Sequence, residues 1–261
     1  LVIICLGLLW YINSEVRHLS GEKTTVVDPS QLETLFGKIA ITGVKLLSPD
    51  SAYMLPDQTV LISENTIKSV GKDIAIPNDY RIMDASGKYL IPGLIDTHIH
   101  PYKSKNDLLL YLANGITHVA MMSSWQGLYL DWRKEAQDGA LSPQIYVAAG
   151  PMNTAKDFRS KVRSLFGPIR LFNEPSKTKK AVSAFKEQGY DALKAYSLDK
   201  ENYFAVAEEA KAQNIPMVGH LTPAVTLEDL YRSGQSQVAH VEEITKAVER
   251  AFGGRSKIFY D

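Results

Sequence analysis

The stretch Ile91-Pro92-Gly93-Leu94-Ile95-Asp96-Thr97-His98-Ile99-His100-Pro101 decides how the rest of the chain is read. Leu94 to Thr97 has the apolar, β-branched composition of a short strand, bounded in front by a Pro-Gly turn pair. Strand side chains alternate faces, so His98 and His100 project to the same side. Two imidazoles converging at the carboxyl end of a strand are good ligands for zinc or a similar ion. The bare H-x-H pair is a weak signal. Its place, after Pro-Gly and immediately before the first helix of a strand–helix series, makes it stronger.

Downstream, short apolar strands alternate with amphipathic helices. The composition predicts strands at Leu94 to Thr97, Thr117 to Met121, Gln144 to Ala148, Ala192 to Tyr196, Met217 to Gly219 and Val238 to His240. A helix fits Lys200 to Gln213, with Asp199 as N-cap and Asn214 with Pro216 as its stop. Strand-then-helix units in series imply a parallel sheet, hence an α/β fold. A complete (β/α)8 TIM-type barrel takes roughly 250 residues. Residues 93–261 suffice for about six of its units, so we expect an incomplete barrel and a chain truncated at both ends.

Upstream, Lys38 to Leu47, Thr59 to Ile62, Ile67 to Val70 and Arg81 to Met83 are short β-branched runs separated by Asp, Gly, Asn and Pro, which marks residues 38–92 as a small all-β domain. Residues 21–37 read as a polar linker. Before it, Leu1 to Ile12 is apolar throughout and ends in Trp10 and Tyr11, a pair expected near a membrane interface. We therefore expect residues 1–20 to be a membrane anchor or signal segment. An A-x-A-like cleavage site is missing before Asn13, which favours the anchor and places the protein on a membrane or outside the cytoplasm.

A formal net charge of zero gives no field to attract nucleic acid, which leaves a small molecule or short peptide as the expected partner. Cys5 is the only cysteine, so any metal must be held by histidine, carboxylate or a modified side chain. His220 ends the fifth expected strand and His240 the sixth, both where barrel enzymes place functional groups. Lys194 lies in the apolar fourth strand, where a charged amine is costly to bury. A depressed pKa resolves that cost. The neutral amine can then add carbon dioxide to form a carbamate, whose oxygens can bridge two cations. Tyr196 shares the strand face of Lys194 and is a candidate donor to substrate. The basic run from Lys156 to Lys180 is either a solvated face or a greeting for an acidic substrate.

The run YLIPGLIDTHIHP, the small β domain before it, Lys194, the Gly219-His220 pair and AHVEE from Ala239 together resemble the amidohydrolase superfamily, over residues 38–245. The likeness is greatest to its imidazolonepropionase-like and prolidase-like branch. The resemblance implies a β-sandwich in front of the barrel and a centre of two divalent ions, zinc first, with manganese, cobalt or nickel as alternatives. His98 and His100 would hold one ion, His220 and His240 the other, and carboxylated Lys194 would bridge them. It further implies hydrolysis of an amide-type carbon–nitrogen bond by a metal-activated hydroxide, aided by an Asp at the end of strand eight. The chain ends before such a strand, so this fragment is expected to be inactive even where its parent is not. Imidazolonepropionase itself lacks the strand-four lysine. Lys194 therefore points to the binuclear relatives: a prolidase-like dipeptidase or carboxypeptidase, or a lactonase. A metal-free barrel serving as a binding module is the alternative of a different class.

Overall fold

The structure, a computed structural model, describes residues 2–31, 37–122, 127–154 and 170–253. The chain divides into two compact units, residues 27–94 and residues 1–26 with 95–261.

The smaller unit is built on β1 (Ile39–Leu47), which pairs antiparallel with β2 (Met54–Ser63) in a register that sets Ile39 against Ile62 and Leu46 against Leu55. β2 turns into β3 (Thr66–Gly71) through Glu64 and Asn65, both at positive φ, the backbone that a tight two-residue hairpin requires. β4 (Arg81–Asp84) and β5 (Tyr89–Leu90) run parallel to β1 on its other edge. Val44, Val60 and Ala85 form its core, with Ile41, Ile62 and Leu90 packed against them. The result is one five-stranded sheet. The expected β-sandwich is not confirmed: among the described residues, the strands of residues 38–92 form a single sheet.

The larger unit carries a six-stranded sheet curled as a half-barrel, in the order β11, β10, β8, β7, β6, with β9 on β8. The strands are β6 (Leu94–Ile99), β7 (Ile116–Met121), β8 (Gln144–Asn153), β9 (Arg170–Leu171), β10 (Ala192–Ser197) and β11 (Met217–Gly219). The pairs β7 with β8, β8 with β10 and β10 with β11 are parallel. Helices follow the strands: α2 (Asn106–Ala113), α3 (Leu128–Gln137), α4 (Pro175–Glu187), α5 (Lys200–Ala212), α6 (Leu227–Ser233) and α7 (Val241–Ala251). Period-two alternation divides the sheet. Val119, Met121, Val147, Leu193 and Ala195 join Tyr129, Trp132, Val182, Phe185, Tyr203 and Val206 of the helices in the main core. Ala120, Met122, Ala148, Ala192 and Val218 form a smaller cluster of their own. Lys194 and Tyr196 are in step with Ala192, not with Leu193.

The sixth expected strand, Val238 to His240, is irregular. Ser236 and Ala239 do donate backbone hydrogen bonds to Met217 and Gly219 of β11. The side chain of Gln235 also donates to the Gly219 and Gln237 carbonyls, sharing the Gly219 acceptor with Ala239.

The first helix, α1 (Val2–Leu19), corrects a second expectation. No helix among the described residues is long and apolar enough to cross a membrane. The apolar run stops at Ile12, and the helix continues through Asn13, Ser14, Glu15, Arg17 and His18. A dozen apolar residues give about 18 Å of helix, against a hydrocarbon core of about 30 Å. The membrane anchor is therefore withdrawn, and with it the assignment to a membrane or to the outside of the cytoplasm. α1 nevertheless shows apolar side chains to solvent, among them Leu9, Trp10 and Leu19. The stretch after it is tied down: Lys103 donates from its backbone to the Ser20 carbonyl and pairs with Glu22, and Asn106 donates to the Thr25 carbonyl.

Candidate functional site

Lys194 is 1% exposed, in the middle of a strand whose neighbours Leu193 and Ala195 are wholly buried. It fits there because two glycines clear its flanks. A Cβ on Gly150 would stand 2.7 Å from the Lys194 carbonyl oxygen, and one on Gly219 would stand 2.3 Å from the Ala195 oxygen and 2.9 Å from Lys194 Cγ. Both glycines have positive φ, a backbone that other residues rarely adopt.

The lysine Nζ reaches 3.4 Å from His98 Nε2 and 3.3 Å from His100 Nε2, while those two nitrogens are 2.9 Å apart. The His98 ring lies 5.3 Å from that of His240, which in turn lies 4.9 Å from that of His220. Tyr196 packs edge-on against His220 at 4.4 Å between ring centres. The six residues singled out from the sequence, His98, His100, Lys194, Tyr196, His220 and His240, thus meet in one cluster. His98 and His100 come from β6 and the residue after it, Lys194 and Tyr196 from β10, His220 from the residue after β11, and His240 from the N-cap of α7.

Electrostatics favours the neutral forms of His98, His100 and Lys194. Desolvation, then the neighbouring Lys194 charge, depresses His98 and His100 to about 4. Desolvation likewise lowers the Lys194 amine to about 8, against the opposing pull of Glu243. A neutral amine with its lone pair free is then accessible near neutral pH, the form that reacts with carbon dioxide. His98 Nδ1 is buried without a hydrogen-bond partner. Such an orphan is uncommon and marks a polar site that asks for a further ligand. By chemistry the donor set suits a divalent ion of zinc type. In its present arrangement, however, no group of three or more His, Cys, Asp or Glu among the described residues could hold a metal ion. The Nε2 atoms of His98 and His100 both face the Lys194 amine instead.

Glu243 lies within the AHVEE motif, yet the sequence alone suggested no role for it. Its carboxylate accepts from His220 Nδ1 and, at 2.8 Å, from the Leu221 N–H. Burial pushes its pKa up, but the His220 and Leu221 hydrogen bonds outweigh that and hold it below the usual carboxylate value. The basic run divides: Lys156, Arg159, Lys161 and Arg163 lie outside the described residues, while Lys177 pairs with Glu174 and Lys179 with Glu208 at the surface.

No protein-family model matches the chain. Over 100 residues it is 33% identical to adenine deaminase 2 of Bradyrhizobium sp. (strain ORS 278), covering 36% of this chain and 17% of that protein. Over 112 residues it is 31% identical to imidazolonepropionase of Brevibacillus brevis, covering 38% of this chain and 26% of that protein. The chain therefore matches about a quarter or less of the length of these curated relatives. Among solved structures it resembles a prolidase complexed with N-methylphosphonate-L-proline, with a TM-score of 0.65 and 19% identity over 83% of this chain and 65% of that one. At that identity the likeness is one of fold.

Proposed function

We propose that this chain, whose partial matches are to enzymes of the amidohydrolase superfamily, serves a metal-dependent hydrolase of carbon–nitrogen bonds, its half-barrel being part of an eight-stranded TIM-type barrel. The observation that carries the reading is Lys194, buried to 1% exposure with its amine within 3.4 Å of two histidine nitrogens. A lysine that only packed would direct its amine to a carboxylate or to solvent. His98 and His100 would hold one ion, and His220 and His240 a second. Lys194 would add carbon dioxide at Nζ, releasing one proton and gaining a single negative charge shared by two oxygens, with which it would link the pairs. Bound there, divalent ions would supply Lewis-acid polarisation of a scissile carbonyl and acidify a water. The chain's own groups do the rest. The neutral imidazoles of His98 and His100 offer lone pairs without a proton to displace. Tyr196, partly exposed beside His220, offers a hydroxyl to a substrate carbonyl or carboxylate. The substrate class is a small amide or short peptide, with an X-Pro dipeptide, a cyclic amide or a lactone as the substrates to screen.

Elemental analysis per chain, in metal-replete and bicarbonate-containing buffer, tests this against Lys194→Ala. Two equivalents of metal falling to one or none are expected. A second reading is a barrel kept as a binding module without metal. It would be upheld if the unaltered chain takes up no metal.

A further inference from the structure

We infer that Glu243 is a positioning residue, which fixes the proton of His220 on Nδ1 and so leaves Nε2 as the free base. This rests on the reading of His220 as an ion ligand. The geometry is a carboxylate shared by two donors. One oxygen meets His220 Nδ1 and the other accepts from the Leu221 N–H at 2.8 Å. An ionised carboxylate only accepts, and a backbone N–H only donates, so the ring nitrogen facing Glu243 must carry the hydrogen. A neutral imidazole has one N–H, and Nε2 is then a lone pair. Hydrogen bonds of this kind orient metal-bound histidines and raise their basicity.

The helix makes the arrangement stiff. His240 is the N-cap of α7, and Glu243 stands in its first turn, with its N–H bonded to the His240 carbonyl. A carboxylate there is also favoured by the partial positive charge at a helix start. One turn of α7 thus sets His240 directly and His220 through Glu243. His220 and its backbone neighbour are gripped together, so the ring and the chain that carries it move as one.

Glu243→Gln separates this role from simple packing. The side chain keeps its size, but Leu221 N–H still requires an acceptor, so the amide oxygen faces it. The amide NH2 then faces His220 Nδ1, which must accept, and the imidazole proton shifts to Nε2. In long-range proton–nitrogen spectra of metal-free, 15N-histidine-labelled protein, we expect Nδ1–H for His220 in the unaltered chain and Nε2–H in Glu243→Gln. The His98 and His100 resonances, from another strand, report that the fold is intact. Zinc affinity, read by competition with a chromophoric chelator, should fall about 10- to 100-fold in the variant. An unchanged tautomer in Glu243→Gln would overturn the inference. An inverted tautomer with unchanged zinc affinity would overturn it too, and would place the failure in the ligand reading of His220. Should the variant not fold, the unaltered chain still decides, since an Nε2–H tautomer there contradicts the inference by itself.

Discussion

Gly219 carries more of the site than its size suggests. Its φ of +108° and the 2.3 Å approach of a would-be Cβ to the Ala195 oxygen leave no room for any other residue. Gly219→Ala should destabilise the chain by at least about 1–3 kcal/mol, because a strained backbone and a displaced strand act together; urea denaturation with the midpoint as readout checks this. A loss below about 0.5 kcal/mol would mean that β10 and β11 separate easily. At this scale the sequence was informative where a residue was out of place. Lys194 drew notice because a cationic side chain interrupts an apolar strand, and His98 with His100 because strand alternation puts them on one side. Glu243 was silent for a physical reason. Its partners, His220 and Leu221, lie 23 and 22 positions earlier, and no local periodicity joins a helix start to the end of a preceding strand.

Among elements, α6 has the best-defined start. Thr226 accepts from the Asp229 N–H while Asp229 accepts from the Thr226 N–H, a complete capping box, and Lys200 pairs with the same aspartate. Thr226→Ala should cost about 1 kcal/mol in unfolding free energy, read from denaturant titration. The Lys200 hydrogen bond and the Thr226 N–H hold the Asp229 pKa down to about 2, below its ordinary 3.8. A depressed acid stabilises the fold above about pH 4 and loses that contribution as pH falls towards 2. Asp229→Asn should therefore flatten the stability profile across that window, measured by denaturant titration at successive pH values. Strand positions were legible because β-branched runs and turn residues bound them: β6, β7, β10 and β11 overlap their expected ranges. The N-cap Asp199 was legible for the same local reason, and its side chain accepts from Asn202 N–H. Val238 to His240 has the composition of a strand but forms only part of its ladder: Ala239 bonds the Gly219 carbonyl, and the Gln235 side chain shares that acceptor.

For the molecule as a whole, acid should act first through the histidine cluster. His98 is half-buried and depressed to about 4 from 6.5, so the unfolded chain binds its proton more readily than the folded one. Stability of the metal-free chain is then fully present above pH 6.5 and declines as pH falls from there to about 4. His98→Gln should blunt that decline; an unchanged slope would show that the cluster opens to water before it titrates. The parallel half-barrel was readable from the alternation of strands and helices, whereas α1 was misread because twelve apolar residues were weighed without the polar third that completes the helix. That helix has an optical consequence. Trp10 is 71% exposed and Trp132 is 3% exposed. With Trp125 replaced by phenylalanine, the two indoles divide the emission spectrum between them: a red-edge, iodide-quenchable signal from α1 and a blue, shielded one from the barrel core. Anything that settles on the first helix would announce itself in one band, and unfolding of the barrel in the other.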